Sequence, residues 1–199
     1  MSDANTNRIS GLESLLKTHG SKGPAPVEQW NPPYCGDIGM AIRGDGVWLY
    51  QGSPIGRMAL VKLFASVLRK DTDGKHYLVT PVEKIDVHVA DAPFMAVELQ
   101  VAGSGRDQRL TFRTNVDDIV AAGPEHPIRF AEEPGSGGLK PYLLVRGRLE
   151  ALVTRALYYD LVELALDDAD RGLGLWSGGT FFPLREGAPP IVAQHGAGS

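Results

Sequence analysis

Residues 81–94, PVEKIDVHVADAPF, place Glu83, Asp86, His88 and Asp91 in one short span. These are the residue types from which acid/base pairs and metal sites are assembled. Periodicity argues against a self-contained cluster. Ile85, Val87 and Val89 alternate with Lys84, Asp86 and His88, the pattern of a half-buried strand whose successive side chains point to opposite faces. Asp86 and His88 then share the solvent face with Lys84. Glu83 and Asp91 fall on the apolar parity, separated by roughly 26 Å of extended chain at about 3.3 Å per residue, too far apart to act as a dyad. The span reads as a solvated strand face, with chemistry only if a partner arrives from elsewhere in the chain.

Anion binding is the second chemistry the residue types allow. The stretch RLEALVTRALYYDLVELALDD, from Arg148 to Asp168, predicts a long helix with Leu149, Leu152, Val153, Ala156, Leu157, Leu161 and Leu164 on its apolar side. Arg148 and Arg155 lie in its first half, with Arg146 just outside, and Asp160, Glu163, Asp167 and Asp168 lie in its second half. That order opposes the helix macrodipole, at about 0.3 to 1 kcal/mol for each charge near an end. Two explanations stay open. One is an ion pair of Arg155 with Glu150 or Glu132. The other is an anionic ligand at the helix start, where free backbone N–H groups and arginine converge. Arg57 holds a comparable place on an earlier predicted helix, just after Gly52, Ser53 and Pro54. Tyr158 and Tyr159 follow Arg155 by three and four residues, so one of them shares its face and either stacks on a ring or packs in the core. Arg113 and Asn115, in FRTN, share one strand parity and either read a ligand edge or face water.

These side chains depend on an alternation of strands and helices. RISGLESLLKT predicts a short amphipathic helix, and HGSKGPAPVEQWNPP breaks regular structure. DIGMAIRGDGVWLYQG reads as a hairpin turning at Gly44–Gly46, its RGD being turn chemistry. Ser53 and Pro54 read as N-cap and first residue of a helix running to about Arg69. Strands are expected at about 76–80, 84–90, 94–101, 108–114 and 127–131, in YLLVRG, and in a closing hairpin, GLGLWSGGTFFPL. The expected divisions are an N-terminal segment, 1–24, an α+β domain, 25–84, a second domain, 85–186, and a flexible tail, 187–199. Both halves contain a strand, a Gly, the tripeptide ALV and a strand ending at Pro, a weak internal repetition. The fold class expected is therefore α+β: two small β-rich domains with duplicated cores and one long helix each. Trp30, Trp48 and Trp176 are read as structural.

Composition excludes several functions. The 199 residues are 43% apolar and 22% charged with a net charge of −4, which fits a soluble globular chain and argues against broad nucleic-acid binding. No apolar run approaches the 18 or so residues of a membrane span, and the polar start lacks a signal-peptide core. With the single cysteine, Cys35, this points to the cytoplasm. HExxH, CxxC, GxSxG and GxxxxGK[ST] are all absent, and the five histidines show no short ligand spacing. No metal, no cofactor and no catalytic residue are expected. Cys35 has no base that sequence can identify and reads as a packed thiol. GSGGLKP reads as a linker, because a loop before a strand lacks the helix N-terminus of a phosphate loop.

The stretch GDGVWLYQGSPIGRMALVKLFASVLRKDTDGKHYLVTPVEKIDVHVADAPF, continued by FRTNVDD, PYLLVRGRLEAL and GLWSGGTFFPL, resembles the bacterial family catalogued as domain of unknown function 1285, over about residues 25 to 186. The resemblance implies a two-domain α+β fold with duplicated cores and a C-terminal half loosely like a pleckstrin-homology domain. It also implies a ligand site at the domain interface, for a nucleotide-like compound, and a role in signalling. Together with the residues, it leads to the expectation of a non-enzymatic protein sensing a small anionic ligand through Arg57, Arg113, Asn115, Arg146, Arg155, Tyr158 and Tyr159. A protein-interaction module without a small ligand is the second expectation, its partner a protein chain, and a phosphoester hydrolase the third.

Overall fold

The computed structural model describes residues 25–185. The helix expected in RISGLESLLKT and the tail from Gly187 lie outside the described residues. The described chain forms two units: one runs to Met95 and includes Arg146–Glu150, and the other comprises Ala96–Val145 and the chain from Ala151 onward. Both are β-rich, and the α+β class holds.

In the first unit, β1 (Met40–Ile42), β2 (Trp48–Tyr50), β3 (Ser53–Pro54), α1 (Met58–Ser66), β4 (Leu68–Lys70), β5 (His76–Val79) and β6 (Lys84–Val89) follow one another. Their sheet has the order β3-β2-β1-β6-β5-β4. The β1–β2 hairpin turns where expected. The Asp45 carboxylate accepts from Val47 N at 3.2 Å and Arg43 Nε at 3.1 Å, so the RGD is spent on its own turn. The parallel pairing of Met40 with Val87 and Ile42 with Val89 joins the first strand to the sixth. Met40, Ile42, Trp48, Phe64, Leu68 and Leu78 are buried at the centre, and the Trp48 and Phe64 rings stack at 6.4 Å.

Ser53 and Pro54 do not start a helix. Gln51 and Gly52 adopt φ of 49° and 78°, a two-residue turn of the kind whose twist suits a hairpin, so Tyr50 pairs with Ser53 and Leu49 with Pro54. Proline is tolerated there because β3 is an edge strand. The helix begins four residues later, with Arg57 as its N-cap, and ends at Ser66. Val67 and Leu68, expected in the helix, are core residues beyond it. Met58, the first residue of the helix, is exposed although apolar.

The second six-stranded sheet consists of β7 (Phe94–Ala102), β8 (Arg109–Thr114), β9 (Ile119–Ala121), β10 (Ile128–Glu132), β11 (Leu139–Arg146) and β12 (Leu149–Val153), ordered β10-β11-β12-β7-β8-β9. Read from the other edge, this matches the first sheet: in each, the first strand lies beside the sixth. Then come α2 (Arg155–Glu163), β13 (Leu166–Asp168), β14 (Gly172–Ser177) and β15 (Thr180–Pro183), the strands forming a three-stranded sheet.

The long helix expected from Arg148 to Asp168 is therefore three elements, and both helices have nine residues. Leu149, Ala151 and Val153 are buried while Glu150 and Leu152 are less so, a period of two that the apolar run masked. The tripeptide ALV is helical at 59–61 and extended at 151–153. The repetition of that tripeptide thus does not mark equivalent elements.

Buried polar groups fasten the smaller sheet. Ser177 Oγ donates to Ala122 O at 2.7 Å and accepts from Leu110 N at 2.9 Å, and Gln108 Nε2 donates to Trp176 O at 2.9 Å. Gly174 leaves room for the Phe181 ring, which a Cβ would meet at 2.3 Å.

Two stability measurements follow. Trp48, 2% exposed, makes Trp48→Ala cost about 3–5 kcal/mol in urea melts; a loss under about 1 kcal/mol contradicts the packing described. Ser177→Ala removes both hydrogen bonds of the hydroxyl. At about 1–3 kcal/mol for each of the two groups left unsatisfied, a loss of about 2–6 kcal/mol is expected, and a neutral result contradicts the fastening role.

Candidate functional site

The second unit contains a cavity of about 500 Å³, within the ordinary range for ligand pockets. One wall is the first turn of α2: Arg155 is its first residue and follows Thr154, the N-cap, while Tyr158 and Tyr159 sit one turn on. The opposite side comes from the β10–β11 connection and the start of β11, with Glu133, Ser136, Gly138 and Lys140. Leu139, Pro141, Leu152 and Val153 make the floor apolar.

Arg155 Nε donates to the Tyr159 hydroxyl at 3.3 Å. That bond, and the more distant Glu133 carboxylate, raise the guanidinium's pKa above its ordinary value. The Tyr158 and Tyr159 rings are tilted at 59° with centroids 5.9 Å apart, and Tyr159 is 55% exposed. Neither tyrosine is a core residue. Glu133 accepts from Ser136 Oγ at 2.8 Å and lies 3.7 Å from Lys140 Nζ. The connection is closed by Glu133 N donating to Gly138 O at 2.7 Å. It leads from strand to strand and not into a helix, so it has no phosphate-loop geometry.

Three of the seven residues singled out from sequence, Arg155, Tyr158 and Tyr159, thus line one pocket, built wholly from the second unit. The others lie elsewhere. Arg57 caps α1 in the first unit. Arg146 Nη2 donates to Ala65 O at 2.6 Å, and its guanidinium covers the Phe94 ring at 5.0 Å, both within the first unit. Arg113 is held by Glu98, with Nε to Oε2 at 2.7 Å, and by Asp117 at 2.8 Å; it is an ion-paired arginine on β8. Asn115 lies past the end of β8, in the turn organised by Thr114, whose Oγ1 accepts from Val116 N and Asp118 N. Arg148 precedes β12 and is not helical. The opposition to the macrodipole survives in shorter form, with Arg155 at the start of α2 and Glu163 at its end.

Sequence reasoning missed Glu133 and Lys140. The signal was present as two opposite charges flanking a Gly-rich connection, but it becomes legible only once residues 149–153 are read as the strand that carries the pocket floor.

The solvent face of β6 does gain partners from elsewhere. Asp37 Oδ2 meets His88 Nε2 at 2.8 Å, and Asp86 accepts from the Tyr34 hydroxyl at 2.5 Å. The histidine hydrogen bond lowers the Asp37 pKa. His88 is exposed, and no group of three or more His, Cys, Asp or Glu placed to hold a metal occurs among the described residues. The pair is a surface hydrogen bond at the end of a solvated strand face. Cys35 is exposed, not packed, and its Sγ donates to Pro33 O at 3.5 Å. No helix of the described residues is long and apolar enough to cross a membrane.

Comparisons with known proteins place this architecture. The N-terminal domain of the domain of unknown function DUF1285 matches residues 25–92, and the C-terminal domain of the same family, a protein of unknown function, matches residues 93–184. The chain belongs to the DUF1285 family. It is similar to a DUF1285 family protein from Silicibacter pomeroyi DSS-3, whose crystal structure at 2.50 Å resolution shares 51% identity over 87% of this chain and 93% of that one, with a TM-score of 0.80. A DUF1285 family protein from Shewanella baltica OS155 shares 28% identity over 63% of this chain and 91% of that one, with a TM-score of 0.49. No curated protein matches.

One titration is set by burial in the first unit. His76, 9% exposed, has its pKa lowered from 6.5 to about 4 by desolvation and, secondarily, by the Lys70 charge. Because the folded state holds the imidazole neutral, the unfolded chain binds the extra proton. This contribution to stability is complete above pH 6.5 and is lost as pH falls toward about 4. Urea midpoints across that window are expected to drop for the wild type and to drop less for His76→Gln; equal drops contradict the neutral burial.

Proposed function

We propose that the protein is a non-enzymatic binding protein for a small anionic ligand with a planar, nucleotide-like ring. The ligand occupies the pocket beside α2, and its occupancy serves signalling in the cytoplasm. The observation that carries this reading is the convergence of Arg155, Lys140, Tyr158 and Tyr159 on one cavity of about 500 Å³. A guanidinium at a helix start offers an anion charge-assisted hydrogen bonds together with free backbone N–H groups. The neighbouring tyrosines offer ring faces for stacking, and the apolar floor desolvates the ligand. The hydrogen-bonding partner of Arg155 is a hydroxyl and not a buried carboxylate, so an incoming anion displaces no internal ion pair of that residue.

The shared strand order of the two six-stranded sheets supports reading them as duplicated cores. The helix after the sixth strand of the second sheet supports its likeness to a pleckstrin-homology domain. A protein-interaction role is the second reading, favoured by exposed apolar side chains on α2 and the strands after it: Tyr159, Val162, Leu166 and Leu173.

A thermal-shift screen against mono-, di- and cyclic nucleotides separates the two. A ligand at 100 times its Kd stabilises by about 2.7 kcal/mol. Arg155→Ala is expected to abolish the shift while changing stability by less than about 0.5 kcal/mol, as surface substitutions do. No shift with any nucleotide, together with a destabilised Arg155→Ala, refutes ligand binding and leaves the interaction module.

A further inference from the structure

The sheet formed by β13, β14 and β15 has two unlike faces. Leu175, Ser177 and Phe182 point one way and are buried. Paired residues of an antiparallel sheet share a face, as do alternate residues of a strand. The pairing of Trp176 with Phe181, and of Gly174 with both Pro183 and Leu166, therefore puts Leu166, Trp176, Phe181 and Pro183 on the other face. That face is apolar yet not buried: Leu166 is 37% exposed, Pro183 is exposed, and the Trp176 and Phe181 rings, 5.3 Å apart, are half-buried. The guanidinium of Arg171 lies over both rings, at 5.2 and 5.9 Å, and that of Arg106 lies over Trp176 at 5.4 Å. Trp176 Nε1 is enclosed there without a hydrogen-bond partner among the described residues, although a buried indole N–H ordinarily finds one.

The chain leaves this sheet at the end of β15. Leu184 N donates to Leu173 O at 3.0 Å, which fixes that end against β14, and Arg185 is the last described residue. Residues 186–199 then read EGAPPIVAQHGAGS: a glycine that tolerates a tight turn, two prolines, and the aliphatic pair Ile191 and Val192. We propose that this segment folds back on its own unit, residues 189–192 covering the outer face at Trp176 and Phe181. At about 3.3 Å per residue, extended chain from Leu184 to Val192 reaches roughly 26 Å, and Phe181 lies roughly 10 Å back along β15. The span therefore suffices for a reversal at Gly187. Consecutive prolines favour the polyproline II helix, whose carbonyls are unpaired and which docks on aromatic side chains. They bring no N–H that docking would strand, and a carbonyl of this stretch is the acceptor for Trp176 Nε1. A short tether holds the segment at an effective concentration of about millimolar, which favours the chain's own segment over that of a second copy.

Isotope-edited NMR on the full chain tests this. Wild type is expected to show nuclear Overhauser contacts from the Ile191 and Val192 methyls to the Trp176 and Phe181 rings, within one molecule. The double variant Ile191→Ser, Val192→Ser is expected to abolish them and to shift the Trp176 indole N–H cross-peak while leaving those of Trp30 and Trp48 in place. Unmoved, those two report that the fold is intact, and the wild-type contacts decide alone should the variant fold poorly. Absence of contacts to either ring in the wild type, or a Trp176 cross-peak unmoved by the double variant, overturns the proposal. A mixture of labelled and unlabelled chains in which the contacts arise between molecules overturns it as well, and assigns the face to a second copy.

Discussion

The pairing of first strand with sixth is the constraint on which each sheet depends. β1 and β6 run parallel, Met40 against Val87 and Ile42 against Val89, so two strands separated by most of the first unit's sequence meet at the middle of its sheet. Side chains on both sides of that seam are buried, and Trp48, Phe64 and Leu78 pack there. The hairpins then extend outward: β2 and β3 on one side, β5 and β4 on the other. In the second sheet, too, the first strand lies beside the sixth, β7 next to β12. Closing such a long loop is entropically costly, and the loss is recovered only when a hydrophobic face is complete.

That closure also makes the pocket. β12 is held at the centre of its sheet, and the chain turns from it directly into α2, so Leu152 and Val153 at the strand end and Arg155 at the helix start face one volume. β11, the neighbour of β12, brings Lys140, and the connection before β11 brings Glu133. A buried Arg69 performs a different task in the first unit. Its Nη1 donates to Val27 O at 2.7 Å and Trp30 O at 2.8 Å, and its Nε pairs with Asp71 at 2.5 Å. It thereby fastens the irregular chain ahead of β1, its guanidinium hydrogen-bonded through all three nitrogens, as burial of a charged group requires.

Much of the strand layout was legible because period-two patterns were clear at 84–89 and 94–102 and because Gly-rich turns marked the hairpins. The helices were not. In both cases the apolar run continued past the true boundary, and a run of apolar residues reads as helix or buried strand alike. At 149–153 the strand was hidden by good helix formers, and its neighbours across the sheet decided its conformation. At 53–54 the Ser-Pro signal was genuine in kind but overruled by positive φ at Gln51 and Gly52. Within the site, Arg155, Tyr158 and Tyr159 were found because they are close in sequence. Glu133 and Lys140 were not, because strand pairing alone brings them there. Arg113 and Arg146 were attractive as cations, and only the folded chain reveals that one is paired with carboxylates and the other engages a carbonyl and a ring.

Helix α2 is held by little. Among its nine residues only Leu161 is fully buried, with Leu157 and Tyr158 partly so, and Thr154 makes no side-chain capping bond. An isolated helix of this length is unstable in water, so its order is borrowed from one leucine and its flanking strands. Detachment of α2 costs far less than unfolding the sheet beneath it, which places this segment at the low end of the molecule's local opening energies. A ligand of the kind proposed, gripping Arg155 and the tyrosines, would therefore do more than fill a cavity. It would add a second anchor at the first turn of α2, and the amide protons of this turn of chain would exchange with solvent at a rate that reports its presence.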